Sequence, residues 1–138
     1  GAALVTQRVA DVMKPGDHAS TFAAGPLVCS AALVVFDRVS APDFLANVRA
    51  QAEYLQRRLI ALESEKIVEV RAAGLLVGVE LSLPVAPLMA TAREKGLLVI
   101  NAGDQVLRLA PPLTIGQEEI DQAVAVLQAV LDTLQPGD

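Results

Sequence analysis

The chain has 138 residues, 53% of them apolar and 3% aromatic, enough for one ordinary core built from Ala, Leu and Val. Its formal charge of −5 leaves no basic face with interleaved aromatics, which argues against nucleic acid and against a polybasic membrane surface as partners. A single cysteine, Cys29, and a single histidine, His18, supply neither an internal disulfide nor a Cys/His metal site, and they fit a reducing, cytoplasmic setting.

Leu4, Val5, Val9, Val12 and Met13 recur at helical spacing, and Lys14-Pro15-Gly16 stops the pattern, so a short helix is expected to lead into a loop. Gly1 to Met13 has neither a basic start nor a small-residue cleavage site, so no signal peptide is expected. The chain opens in mid-pattern without Met, as the inner part of a longer protein or a processed terminus would. The loop 17–25 is rich in small and hydroxyl residues, and Pro26 sits where a first helical turn tolerates it. The segment 27–39 is apolar on nearly all sides and reads as a buried helix. Its apolar run is far short of the roughly 20 residues that span a bilayer.

Ser40, with Asp43 three residues on, offers a cap for a second helix with one apolar stripe: Leu45, Val48, Ala52, Leu55, Leu59 and Leu62. From Ile67 the pattern becomes β-branched and alternating. Strands are expected over 67–71 and 75–81, a helix over 84–95 closed by Gly96, and short strands over 97–100 and 106–109. Pro111-Pro112 ends the last strand. Gly116, followed by Gln117-Glu118-Glu119, opens a final helix with acids at its positive end and Ile120, Val124, Leu127, Leu131 and Leu134 on its buried face. The fold class is therefore α+β: an antiparallel sheet of three or four strands covered by helices on one side.

The residues alone offer no catalytic constellation, and only two places stand out. In the loop His18-Ala19-Ser20-Thr21-Phe22, hydroxyls and backbone N–H groups precede a helix N-terminus, where an anion such as phosphate is favoured. The plainer alternative is that Ser20 and Thr21 satisfy turn backbone groups. Arg108 is a charged residue inside an apolar strand that ends at two prolines. It either grips a carboxylate bidentately or simply falls on the solvent face by alternation.

The same two places carry a family resemblance. Lys14-Pro15-Gly16-Asp17-His18-Ala19-Ser20-Thr21-Phe22 with Gly25-Pro26-Leu27-Val28-Cys29 resembles the K-P-G-D-H-G-S-T-F-G-G-N-P-L-A-C segment of class III aminotransferases, nearest to acetylornithine aminotransferases. Val68-Glu69-Val70-Arg71, Gly74 to Leu81, Gly96-Leu97-Leu98-Val99 and Leu107 to Ile115 follow in the family's order and spacing.

The resemblance implies the C-terminal part of a fold-type-I, pyridoxal-phosphate-dependent transferase. Residues 1–41 would end the large cofactor-binding domain, and residues 42–138 would form the small domain. It implies that Thr21, with Ser20 alongside, binds the cofactor phosphate in the neighbouring subunit of a homodimer with shared active sites. It implies that Arg108 holds the α-carboxylate of the substrate. The activity implied is amino-group transfer between N-acetylornithine, or a related ω-amino donor, and 2-oxoglutarate, in arginine biosynthesis. Other donors (ornithine, 4-aminobutyrate, acetyl-lysine) and a non-catalytic binding or assembly module remain as alternatives.

The lysine that forms the Schiff base with the cofactor lies, in this family, before the segment represented by Gly1. None of Lys14, Lys66 and Lys95 takes its place, so the chain alone is expected to be inactive. The chain departs from the family at Ala19, Ala23 and Ala24, which stand where glycine is usual, and at Gly25, which replaces asparagine. Where such a glycine needs positive φ, alanine is a hindrance.

Overall fold

The structure, a computed structural model, describes residues 1–17 and 20–134. His18 and Ala19 lie outside the described residues. The chain forms two compact units, Gly1–Phe44 and Leu45–Asp138.

In the first unit the expected N-terminal helix shrinks to α1, Gln7–Ala10, with no buried residue. One turn without a packed face has little to hold it beyond its own hydrogen bonds, and such short helices are marginal in water. The second helix, α2, spans Pro26–Val39 with Pro26 in its first turn. Among the described residues α2, whose composition reads as that of a buried helix, is uncovered: none of its residues is buried, and Leu27, Val34 and Phe36 are 84%, 71% and 64% exposed. Its composition signals a surface that seeks cover, and the described residues do not supply it. The expected cap is corrected, because Ser40 ends α2, its N–H donating to Phe36 O at 2.9 Å. The third helix, α3 (Pro42–Ile60), instead begins on Pro42, whose fixed φ and missing N–H suit a first turn.

The second unit is built on a four-stranded antiparallel sheet in the order β1-β2-β4-β3, with β1 Ile67–Ala73, β2 Leu76–Leu81, β3 Ile100–Asn101 and β4 Val106–Leu109. Gly74, at φ +60°, makes the tight reversal that lets Ala73 pair with Leu76. The register slips between Ile67 and Glu69, so Val68 is an extra, bulged residue and is 61% exposed. The strand expected over 97–100 is corrected to Ile100–Asn101, a short edge strand.

Alternation gives the sheet two unlike faces. Val77, Val79 and Leu81 of β2 and Leu107 and Leu109 of β4 are buried against Ala52, Leu55 and Leu59 of α3, Val85, Leu88 and Ala92 of α4 (Val85–Glu94), and the Ile120, Val124, Leu127 stripe of α5 (Gln117–Thr133). Helices thus cover one side, as the periodicity predicts. The other side carries Glu69, Arg71, Gly78, Glu80 and Arg108.

Polar contacts lock the helices in place. The Tyr54 hydroxyl donates to Asp121 Oδ1 and Oδ2 at 2.8 and 3.0 Å, and Arg58 Nε reaches Asp121 Oδ1 at 2.9 Å, joining α3 to α5. Gly116 N–H donates to Glu119 Oε2 at 3.0 Å, satisfying a first-turn group of α5. Lys66 Nζ donates to Leu131 O near the negative end of the same helix, a structural use for this amine.

The hydrogen bond to Asp121, reinforced by burial and the Asp121 charge, holds the Tyr54 phenol above its ordinary value of 10.0. A pKa raised by folding adds stability that is complete below the unfolded value and is lost as pH rises through the folded one. Tyr54→Phe is therefore expected to lower the urea midpoint at pH 7. The gap to the unsubstituted chain should shrink as pH rises above the ordinary tyrosine range, which urea titrations at stepped alkaline pH would measure.

Candidate functional site

The hydroxyl loop is held by local bonds. Asp17 turns back on Lys14, accepting from its N–H at 2.8 Å through Oδ2, while Asp17 N–H donates to Lys14 O at 3.1 Å, and Gly16 takes φ +99°. Ser20 O accepts from Ala23 N–H at 3.2 Å, and Ser20 Oγ accepts a long bond of 3.4 Å from Phe22 N–H. Thr21 is exposed, and its hydroxyl makes no hydrogen bond among the described residues. Gly25 then caps α2 with no side-chain bond to the helix, leaving first-turn N–H groups open just past the two hydroxyls. Ser20 partly serves the turn, as the plainer alternative holds, and Thr21 does not.

Ala24 sits at φ +57°, the left-handed region that alanine enters at a cost of roughly 1–2 kcal/mol. This is one of the positions where the sequence departs from a usual glycine. Ala24→Gly relieves the strain, offset in part by the greater freedom of glycine in the unfolded chain. A net gain of about 1 kcal/mol would slow opening of the loop roughly fivefold, read as slower amide exchange at Ala23.

Arg108 lies in the second unit, on β4, where Leu107 and Leu109 point into the core and Arg108 takes the opposite, open face. Its register partners are Gly78 of β2 and Ile100 of β3. Among the described residues it forms no ion pair. In the same row, on β1 beyond Gly78, Arg71 is bonded through Nη1 to Glu69 Oε2 at 2.5 Å and Glu80 Oε2 at 2.6 Å. These hydrogen bonds, Glu80 first, raise the Arg71 guanidinium above its ordinary value. Arg71, Gly78 and Arg108 line one depression of about 370 Å³ with Ala72, Leu76 and Val106.

The sequence reading singled out Ser20, Thr21 and Arg108. The structure places Ser20 and Thr21 together in one turn of the first unit and Arg108 on the sheet of the second. It adds Arg71, Glu69, Glu80 and Gly78, which sequence reasoning passed over. The available signal was a glycine inside an alternating strand, which often marks a close approach. Among the described residues, no group of acidic, cysteine or histidine side chains could hold a metal ion, and no helix is long and apolar enough to cross a membrane.

Comparison with known proteins agrees across nearly the whole chain. The family described as Aminotransferase class-III matches residues 1–131. A probable mitochondrial acetylornithine aminotransferase of Dictyostelium discoideum is 45% identical over 135 residues, covering 95% of this chain and 30% of the relative. The mitochondrial acetylornithine aminotransferase of Alnus glutinosa is 44% identical over 137 residues, with 97% and 30% covered. The crystal structure of acetylornithine aminotransferase from Elizabethkingia anophelis superposes with a TM-score of 0.78 at 27% identity, over 95% of this chain and 36% of that one. The chain thus spans about a third of the length of the relatives it matches. Class III aminotransferases work with pyridoxal phosphate. With the four-stranded antiparallel sheet, the one-sided helix layer and a family match over residues 1–131, the chain belongs to the class III aminotransferase family.

Proposed function

We propose that this chain is the C-terminal part of a pyridoxal-phosphate-dependent aminotransferase that moves an amino group between N-acetylornithine, or a related ω-amino donor, and 2-oxoglutarate, in arginine biosynthesis. The observation that carries the reading is Arg108, an unpaired guanidinium among the described residues on the open face of the sheet, beside apolar walls and a glycine. Relatives at 44–45% identity named acetylornithine aminotransferase support the choice of donor.

The residues present fit the phosphate end of the cofactor. Exposed Ser20 and Thr21 hydroxyls, followed by the uncapped start of the 14-residue helix α2, make a donor set suited to a dianion. When bound, pyridoxal phosphate supplies an electron sink for bond changes at the substrate carbon and carries the amino group between half-reactions. In the reading proposed here, Thr21 and Ser20 hold the phosphate and so fix the depth of the cofactor, in the active site of the neighbouring subunit of a homodimer. Arg108 holds the substrate carboxylate in two parallel N–H···O bonds and so fixes which bond at the neighbouring carbon faces the cofactor.

The lysine that links the cofactor comes from another part of the protein. Lys66 is committed to Leu131 O, and Lys14 and Lys95 are exposed on the surface. Residues 1–41 belong, in this proposal, to the large domain and 42–138 to the small one, in a cytoplasmic enzyme.

The test is a donor panel of N-acetylornithine, ornithine, 4-aminobutyrate and acetyl-lysine with 2-oxoglutarate, assayed on the intact protein for glutamate. Preference for N-acetylornithine is expected, and no glutamate from any donor would overturn the reading. The 138-residue chain alone, reduced with borohydride in the presence of pyridoxal phosphate, should yield no single stoichiometric lysine adduct.

A further inference from the structure

The open face of the sheet holds a row of residues with a division of labour. Register sets Arg71, Gly78, Arg108 and Ile100 side by side across the four strands. The two arginines line the same depression, yet among the described residues only Arg71 is engaged, by Glu69 and Glu80. Two carboxylates against one guanidinium leave that triad with an excess negative charge. An anion entering the depression is therefore repelled from the Arg71 end and drawn to the Arg108 end.

Between them stands Gly78, a residue poorly suited to a strand interior unless something must approach the backbone closely. A Cβ built there would lie 3.4 Å from Val106 Cγ1, 3.7 Å from Arg71 Cγ and 3.8 Å from Arg71 Nε. A methyl group fits. A branched side chain would extend into the gap between the two arginines, because directly opposed residues on neighbouring strands stand only about 5 Å apart.

We propose that Gly78 and the Glu69–Arg71–Glu80 triad set the specificity of the Arg108 anion site: the glycine keeps open a trough beside the free guanidinium, and the two carboxylates withhold Arg71, so the trough accepts one carboxylate carried on an uncharged stem. The proposal rests on Arg108 being the carboxylate-binding residue, and it adds Gly78 and Arg71 as positioning residues. The ligand class is the carboxylate end of a 2-amino or 2-oxo acid. The walls supplied by Ala72, Leu76, Ala102 and Val106 offer a second carboxylate no partner in the trough. A dicarboxylic substrate must place its other end elsewhere.

The test uses the nitrogen-15-labelled intact protein titrated with acetate, following the Nε–H signals of the arginine side chains. Arg108 is expected to shift saturably and Arg71 to stay in place. Gly78→Ala should bind acetate within about twofold of the unsubstituted chain, and Gly78→Val should bind at least about fivefold more weakly with its thermal unfolding still cooperative. The double variant Glu69→Gln with Glu80→Gln does not depend on the fold tolerating a larger residue in the strand. It should bring Arg71 into the response and improve malonate over acetate by about tenfold.

An Arg71 that moves with acetate in the unsubstituted chain, a folded Gly78→Val chain that binds normally, or no response at either arginine would overturn the proposal. Gly78-dependent binding at Arg108 supports the trough even where the intact protein makes no glutamate, which separates this inference from the proposed reaction.

Discussion

Arg108→Gln in the intact protein is expected to lower kcat/KM for amino and oxo acids by a factor on the order of 10²–10³, with KM carrying much of the loss, while leaving the fold untouched. Glutamine reaches a similar distance but offers one neutral amide where the guanidinium offers a charged fork, so a carboxylate loses both its counter-charge and one of its parallel bonds. Arg108→Lys keeps the charge without the fork and should recover only part of the activity, roughly one decade. The side chain lies on the open face of β4 and makes no ion pair among the described residues, so neither substitution removes packing. Thermal unfolding should shift by no more than a surface change allows, about 0.5 kcal/mol. Steady-state kinetics beside thermal melts on the same samples check both halves. Normal kcat/KM for Arg108→Gln would remove the residue from the site.

How far the chain could be read in advance depends on whether a feature is local. The strands β2 and β4 announced themselves because one buried face imposes strict alternation, and Val77, Val79, Leu107 and Leu109 obey it. Helices α3, α4 and α5 were legible from their single stripes, and Gly96, at φ +84°, closes α4 where the pattern stops. The strand order was not legible. It depends on β4 inserting between β2 and β3, a pairing between segments distant in sequence that periodicity does not encode. The partner of α2 is not legible for a related reason, since an apolar helix states that it must be covered without stating by what.

Of the candidate site, the residue types were readable and the relations between them were not. Ser20 and Thr21 ahead of Pro26, and a lone arginine in an apolar strand, are local signals. That Arg71 is tied up while Arg108 is unpaired among the described residues follows from Glu69 lying two residues away and Glu80 on the next strand, which only the register reveals. The departure at Ala24 was visible as a missing glycine, and its consequence, a positive φ, needed the backbone.

Leu107→Ala is the converse of the arginine substitution, one residue away. Leu107 is 1% exposed and packs with the α3, α4 and α5 stripes, so truncation removes buried contacts and leaves a cavity that a sheet fixed by its ladders closes poorly. The expected loss is about 2–5 kcal/mol, a large part of the roughly 5–15 kcal/mol that holds a typical domain together. In urea this is a fall in midpoint of at least about 1.3 M, for a slope near 1–1.5 kcal/mol per molar. Leu107→Met, which keeps volume, should cost less than about 1.5 kcal/mol. The KM of whatever fraction of the intact protein remains folded should be unchanged, because the backbone of β4 still carries Arg108 to the open face. Alternation therefore predicts two opposite signatures at adjacent positions: at Leu107 stability falls with KM intact, and at Arg108 KM rises with stability intact. A midpoint for Leu107→Ala within about 0.3 M of the unsubstituted chain would mean that Leu107 is not in the core.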